Sequence, residues 1–518
     1  MNPVLAELTK SDKFNEYLER IKKSNAPISI LGLAGVGTLQ IVASTEENIK
    51  RPVCLITYNE LQAKKLAEEI RSYINGVFFF PKREILTYDY VAESKELPYE
   101  RIEVLKNIKN GKIKVLVCSI EALLQPIISE DILFKNKISV KVGETYDLEE
   151  LKRKISMLGY TKTEMIDGKG EFSSRGGILD LSFDDKYGIR IEFWGDEVDS
   201  IRKFDIQTQR SIEMIQEVEI NPLHEYLLEN SLEEVCNKIL NNITEYTENQ
   251  KNNVKEDIEL IKTGEYISKV DKYFKFFYSK KATLLDYITE KYILFLEEPK
   301  KILARGKNIL KDIEGIENAL VERERIIPNA LENYISIEEF SNNINELKKI
   351  YLISDDLGDS SEAEKYYFRF RTLNYNRSDF NKFIDDILKA KAEGKKLYLY
   401  VNSKEKAKKL AIDYFNEYKA SKTVIKDNYL SFEELNLQIG LDGLTDKGAL
   451  VKKYKDAIIE KVDNVERDIE TISTMEHKEE ILAEYLKHKN LSLAIKEVNN
   501  RHVILAQVQR DYEVVVEQ

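Results

Sequence analysis

The chain has 518 residues, 42% of them hydrophobic and 33% charged, which suits a folded, charge-rich protein of several domains. It has no run of about 18 apolar residues and no apolar signal core near the N-terminus, so neither a membrane span nor a secretory leader is expected. A net charge of −12 argues against nucleic acid as the main partner, because a chain that grips phosphates usually carries a basic excess; a local basic patch stays open.

Residues 26–130 read as α/β. PISILGLAG opens with a short strand and PVCLITY (52–58) is another. Asn59 caps a helix whose buried face is Ala63, Leu66, Ala67, Ile70, Tyr73 and Ile74, at helical spacing. GVFFFP (76–81) and IKVLVCS (113–119) are apolar runs of strand type. Strands alternating with helices imply a parallel sheet covered on both faces. Residues 131–222 change to short strands around one helix, from Asp147 to Leu158, closed by Gly159. This reads as an inserted α+β module. Residues 223–345 are largely helical, with one strand at Tyr292–Leu296. Residues 346–430 return to α/β around the strand KLYLYV (396–401), and 431–518 read as a helical tail.

The most informative stretch is Gly170–Pro222. Ile189, Ile191 and Phe193 alternate with Arg190, Glu192 and Trp194. A strand sends successive side chains to opposite faces, so one face is apolar and the other carries Arg, Glu and the only Trp of the chain. Two readings stay open. Either Trp194 is an exposed aromatic anchor beside an Arg, of the kind found at protein-binding hot spots, or a second layer covers it as core.

SSRGGILDL, RIEFWGDEVDSIRKFD and QTQRS, in that order, resemble the UvrA-binding domain shared by UvrB and the bacterial transcription-repair coupling factors. VKEDIELIKTGEYI, KYFKFFYSKKATLLDYI and ILFLEEPKKI are similar to the second half of the coupling factors' UvrB-like module, and 380–418 to their small following α/β domain. The resemblance covers roughly residues 20–425. It implies a helicase-like α/β domain (1–130) with an inserted UvrA-interaction domain (131–222), the second part of the UvrB-like module (223–345), a small α/β domain (346–430) and a tail of unassigned role (431–518). It also implies UvrA as partner, with contacts carried over to Arg175, Arg190 and Trp194. The family more often has Phe at the last position.

GLAGVG places Gly32, Gly35 and Gly37 at the spacing of a phosphate-binding loop. Such a loop needs Lys for the phosphates and Ser/Thr for magnesium. Those positions hold Thr38 and Leu39, so the loop reads as degenerate and no cofactor is expected. Glu297 and Glu298 after a buried strand read either as the relic of an acidic pair or as a solvated strand end. In the resembling coupling factors the phosphate-loop Lys is likewise lost. Tyr88, Tyr90 and Tyr99 could stack bases, with packing the favoured role. The four His residues form no cluster, and Cys54, Cys118 and Cys236 have neither metal-ligand spacing nor a disulfide framework, so no metal site is expected and a reducing cytoplasm fits.

The resemblance therefore implies a non-catalytic, UvrA-recruiting part of a transcription-repair coupling factor in nucleotide excision repair, with weak DNA contact left open. The alternative is an ATP-dependent translocase or helicase-like repair enzyme. The family's RNA-polymerase-interacting and motor domains are not recognisable in this sequence, so polymerase contact is expected only through domains it lacks.

Overall fold

The computed structural model describes residues 2–33, 36–83, 96–227, 231–243, 246–263, 273–278, 280–329, 334–353, 363–368, 370, 393–394 and the strands Lys396–Val401, Ala494–Val498, Arg501–Ala506 and Val514–Glu517. The chain divides into two compact units, Met1–Arg51 with Leu66–Val77 and Ile350–Gln518, and Pro52–Lys65 with Phe78–Lys349.

In the first unit the strand Ile28–Leu31 is buried at every residue and pairs in parallel with Lys348–Ile353 on one side and Glu364–Tyr367 on the other. Continuous burial is what a parallel strand covered on both faces requires. The helix Asp12–Lys23 starts where the Ser11 hydroxyl accepts from the Phe14 N–H, and it buries Phe14, Tyr17, Leu18 and Ile21. Tyr17 reaches the Thr45 hydroxyl at 3.0 Å on the helix Gly37–Ile49, and burial holds its phenol far above the ordinary range.

The C-terminal strands form a four-stranded sheet in the order Ala494–Val498, Arg501–Ala506, Lys396–Val401, Val514–Glu517. This corrects the expected helical tail over these positions. Its dense charges of both signs suggested helix, but HVILA and VVVE are apolar, β-branched runs that suit a pleated ladder. Residues 402–493 lie outside the described set.

The second unit holds the parallel strands Ile293–Glu297, Val53–Thr57 and Val115–Ser119, with Val77–Phe80 next in order. The first three are apolar runs matching the sequence reading, and Asn59 does cap the helix Glu60–Ile70, its side chain accepting from the Gln62 N–H at 2.8 Å. Cys54 and Cys118, far apart in sequence, are brought to 3.9 Å as free buried thiols on neighbouring strands. A separate helical core forms around Val235, Ile239, Val254, Tyr273 and Phe277. Among the described residues no helix is long and apolar enough to cross a membrane.

Within this unit lies an antiparallel module. Its six-stranded sheet runs Ser211–Ile215, Glu197–Asp205, Tyr187–Trp194, Ile178–Ser182, Glu171–Arg175, Thr161–Lys162, with only the last pair parallel. The helix Leu148–Met157 begins where the Asp147 carboxylate accepts from the Glu150 N–H, and it buries Leu151 and Ile155. A second, two-stranded sheet pairs Glu217–Ile220 with Ile138–Lys141.

Candidate partner-docking surface

The Tyr187–Trp194 strand has two unlike faces. Ile189, Ile191 and Phe193 are buried, as are Leu179 and Leu181 on the preceding strand and Val198 and Ile201 on the following one. This apolar face seats the sheet. On the opposite face lie Arg190, Glu192 and Trp194. Trp194 is 86% exposed, so nothing within the chain covers the indole among the described residues. The second-layer reading of Trp194 is thereby set aside. Its exposure follows from its place: it ends the strand at the two-residue turn Gly195–Asp196, in register with Glu197.

Strand register extends this face sideways. Ile178, 37% exposed, lies opposite Glu192, and Arg175 lies opposite Ile178. Met214, 62% exposed, lies opposite Arg202. The turn between Arg175 and Ile178 is built from Gly176, at φ +57°, and Gly177, where a Cβ would lie 2.7 Å from the Phe193 carbonyl oxygen. Gly177 accepts from the Phe193 N–H at 2.7 Å, so the turn is drawn tightly against the end of the Trp194 strand.

The three residues carried over from the resemblance share this outer face but differ in state. The Arg175 side chain is exposed, and its Nε and Nη2 donate to the Glu164 carbonyl oxygen at 3.1 and 2.6 Å. A backbone carbonyl orients the guanidinium without cancelling its charge. Arg190 is half-buried. Its Nε and Nη2 meet the Asp180 carboxylate at 2.7 and 2.8 Å, Nη2 also reaches Gln209 Oε1 at 3.0 Å, and the guanidinium lies 4.6 Å from the Phe204 ring centroid. The Asp180 carboxylate holds the Arg190 pKa above its ordinary value. The ionic partner of Arg190 is thus Asp180, on the neighbouring strand, and not Glu192 of its own strand. Glu192 instead takes Arg202 at 2.5 Å and the Ser200 hydroxyl at 2.7 Å. The face thus carries two closed ion pairs between an exposed indole and an exposed guanidinium.

The glycine-rich loop lies elsewhere, in the first unit. Gly32 and Gly37 lie beside Phe368 and Phe370: the Phe368 carbonyl stands where a Gly32 Cβ would be, and a Cβ at Gly37 would come within 2.7 Å of the Phe370 ring. The helix Gly37–Ile49, which includes Thr38, starts without a side-chain cap at Val36. Gly35 lies outside the described residues. In the second unit Glu297 accepts from Thr57 Oγ1 at 2.7 Å and from Gln62 Nε2 at 3.2 Å, and burial raises its pKa. Glu297 is therefore partly buried and held by two donors of its own unit. Of the three tyrosines, Tyr99 packs its hydroxyl against Gly170 under Lys169, while Tyr88 and Tyr90 lie outside the described residues.

The UvrB interaction domain family matches residues 138–226, the antiparallel module just described. The chain carries a UvrB interaction domain. The chain is also similar to the transcription-repair-coupling factor of Bacillus subtilis (strain 168), at 25% identity over 340 residues, which is 63% of this chain and 29% of that protein. For the protein of the same name from Staphylococcus haemolyticus the figures are 27% over 333 residues, 62% of this chain and 28% of the relative. For that of Staphylococcus aureus (strain MRSA252) they are 27% over 341 residues, 64% and 28%. The chain thus spans under a third of the length of the curated relatives it matches. The UvrB interaction domain holds Arg175, Arg190 and Trp194 on a single sheet face. Sequence reasoning missed Asp180 and Ile178, although the alternation in ILDLS places Asp180 opposite in facing to Leu179 and Leu181.

Proposed function

We propose that this chain recruits UvrA in nucleotide excision repair, as the UvrB-like part of a transcription-repair coupling factor, and that it does so without turning over nucleotide. The observation that carries the reading is the 86% exposure of Trp194 on a face whose opposite side already supplies the module's core. A large aromatic left in water on the same sheet face as an exposed Arg and an exposed Ile is the composition of a docking centre. In this reading Trp194 and Arg175 touch the partner, Arg175 through a carboxylate, which suits its planar fork. Arg190 and Asp180 hold the face flat beneath them.

The non-catalytic half of the reading is supported by Thr38 and Leu39 in place of Lys and Ser/Thr, and by the Phe370 ring against Gly37. In this reading DNA contact is secondary to UvrA, given the net charge of −12. The division of 223–345, 346–430 and 431–518 into further domains belongs to the same proposal, as does a cytoplasmic location.

A pull-down with UvrA tests it, comparing the parent chain with Trp194→Ala and Arg175→Ala. No capture by the parent chain removes the function. Undiminished capture by both variants removes the interface. DNA-stimulated ATP turnover by the chain would favour the translocase reading instead.

A further inference from the structure

The UvrB interaction domain is joined to the α/β part of its own unit where the chain returns, at residues 221–226. That crossing is held from both sides. On the module side the Leu223 N–H donates to the Leu158 carbonyl at 2.8 Å, the Tyr160 hydroxyl donates to the Asn221 carbonyl at 3.1 Å, and the His224 imidazole fills the space beside Gly159. On the α/β side stands Arg101, on the helix Glu96–Lys109. Arg101 is 1% exposed and Glu225 is 4% exposed. The Arg101 Nε and Nη2 pair with the two oxygens of Glu225, Nη1 donates to the Pro81 carbonyl at 2.5 Å, and the guanidinium lies 4.3 Å from the Phe80 ring centroid. The Tyr278 hydroxyl also donates to the Glu225 carbonyl.

We propose that Arg101 is a positioning residue for the docking module: its buried, two-pronged pairing with Glu225 sets one orientation of the Trp194 face on the α/β part. A fork of donors meeting a carboxylate in plane is directional, whereas apolar surfaces can slide. The Pro81 carbonyl and the Phe80 ring hold the other sides of the same guanidinium, so it cannot follow Glu225 without giving up both. Buried ion pairs of this kind often add little stability over an apolar replacement, and their use is then specificity of arrangement. The consequence for partner capture rests on the docking reading above; the fixed orientation does not.

The experiment uses the full chain with spin labels at Glu213→Cys, exposed on the module, and Lys311→Cys, exposed on the helix Pro299–Glu322. The native cysteines Cys54, Cys118 and Cys236 are buried. Pulsed dipolar spectroscopy is expected to give one narrow distance in the parent. The double variant Arg101→Met/Glu225→Met removes both charges together, so neither is left orphaned in the interior. Its distance distribution is expected to be at least twice as wide, with a cooperative thermal transition retained. Arg101→Lys, which keeps the charge and loses the fork, is expected to fall between. An unchanged narrow distance in both variants overturns the proposal, and if the double variant does not fold, an unchanged distance in Arg101→Lys alone does so. UvrA capture is measured on the same samples. Its absence from the parent sinks the docking reading and leaves the orientation result standing on its own.

Discussion

The Arg190 guanidinium is pinned to Asp180 across one strand pair, with Nε 2.7 Å from Oδ1 and Nη2 2.8 Å from Oδ2. Two of its three nitrogens are thereby engaged inside the module, and partner energy has to come chiefly from groups beside it.

Trp194 is the first of these. Because the indole is 86% exposed, Trp194→Ala is expected to leave thermal stability within about 0.5 kcal/mol of the parent. UvrA affinity should fall by about 2 kcal/mol, roughly thirtyfold. Calorimetric titration beside a melting curve separates the two. A large drop in the melting temperature would mean that the side chain is part of the core.

Arg190 should act through the fold. Both partners are mostly shielded, and a charged, hydrogen-bonded pair of this kind contributes about 1.5–3 kcal/mol. Arg190→Met and Asp180→Leu should each destabilise, and the double variant should be less destabilised than their sum. The double variant should also capture UvrA better than Arg190→Met alone. Simple additivity of the two single changes would show that the pair is not coupled.

The Gly177 turn offers a steric test. An added Cβ would lie 2.7 Å from the Phe193 backbone oxygen, which cannot give way cheaply, so Gly177→Ala should cost about 1–3 kcal/mol. At Gly195, φ is +67° but the space is open, and only backbone strain of about 1–2 kcal/mol is expected for Gly195→Ala. Urea titrations of the two variants rank them. Gly195→Ala as the clearly worse substitution would contradict the close approach.

His224 gives a pH dependence. Burial lowers its pKa to about 3, against about 6.5 in the unfolded chain. Above pH about 6.5 both states are neutral there and the contribution is complete. As pH falls from there toward 3, the unfolded chain takes up a proton that the folded chain refuses, and stability drops by up to about 1.4 kcal/mol per pH unit. His224→Asn keeps an acceptor for the Tyr226 N–H, which Nδ1 now receives at 3.1 Å, and removes that slope. Denaturation midpoints at pH 7 and pH 5 should differ less for the variant than for the parent.

Glu297 has the opposite sign. Burial raises its pKa, so the folded state holds the proton more tightly than the unfolded one, and stability is highest at acid pH and lost as pH rises through the folded value. Glu297→Gln should therefore raise the melting temperature at pH 8 and leave it nearly unchanged at pH 4. An equal shift at both pH values would mean that charge is not the cause.

The strand–helix alternation of 26–130 was legible because apolar runs and helical spacing report burial directly, and the Asn59 and Asp147 caps are local chemistry. The strands at 494–517 were misread because dense charge is a weak guide to period when glycine and proline are absent. Trp194's alternation was legible, but whether anything covered it was not, since a second layer comes from residues remote in sequence. The partners of Arg190 and Arg101 were equally hidden: Asp180 and Glu225 are 10 and 124 positions away, and only register and docking bring them within reach.

By itself the sequence determined which side chains share a face and that the glycine loop lacks its Lys, because both depend on neighbours along the chain. The tertiary structure alone decided that the indole stays in water while Arg190 is taken up by Asp180 and Arg101 by Glu225. Burial and ion pairing are set by which strands and helices meet, and a carboxylate finds a guanidinium only after the backbone has closed around both.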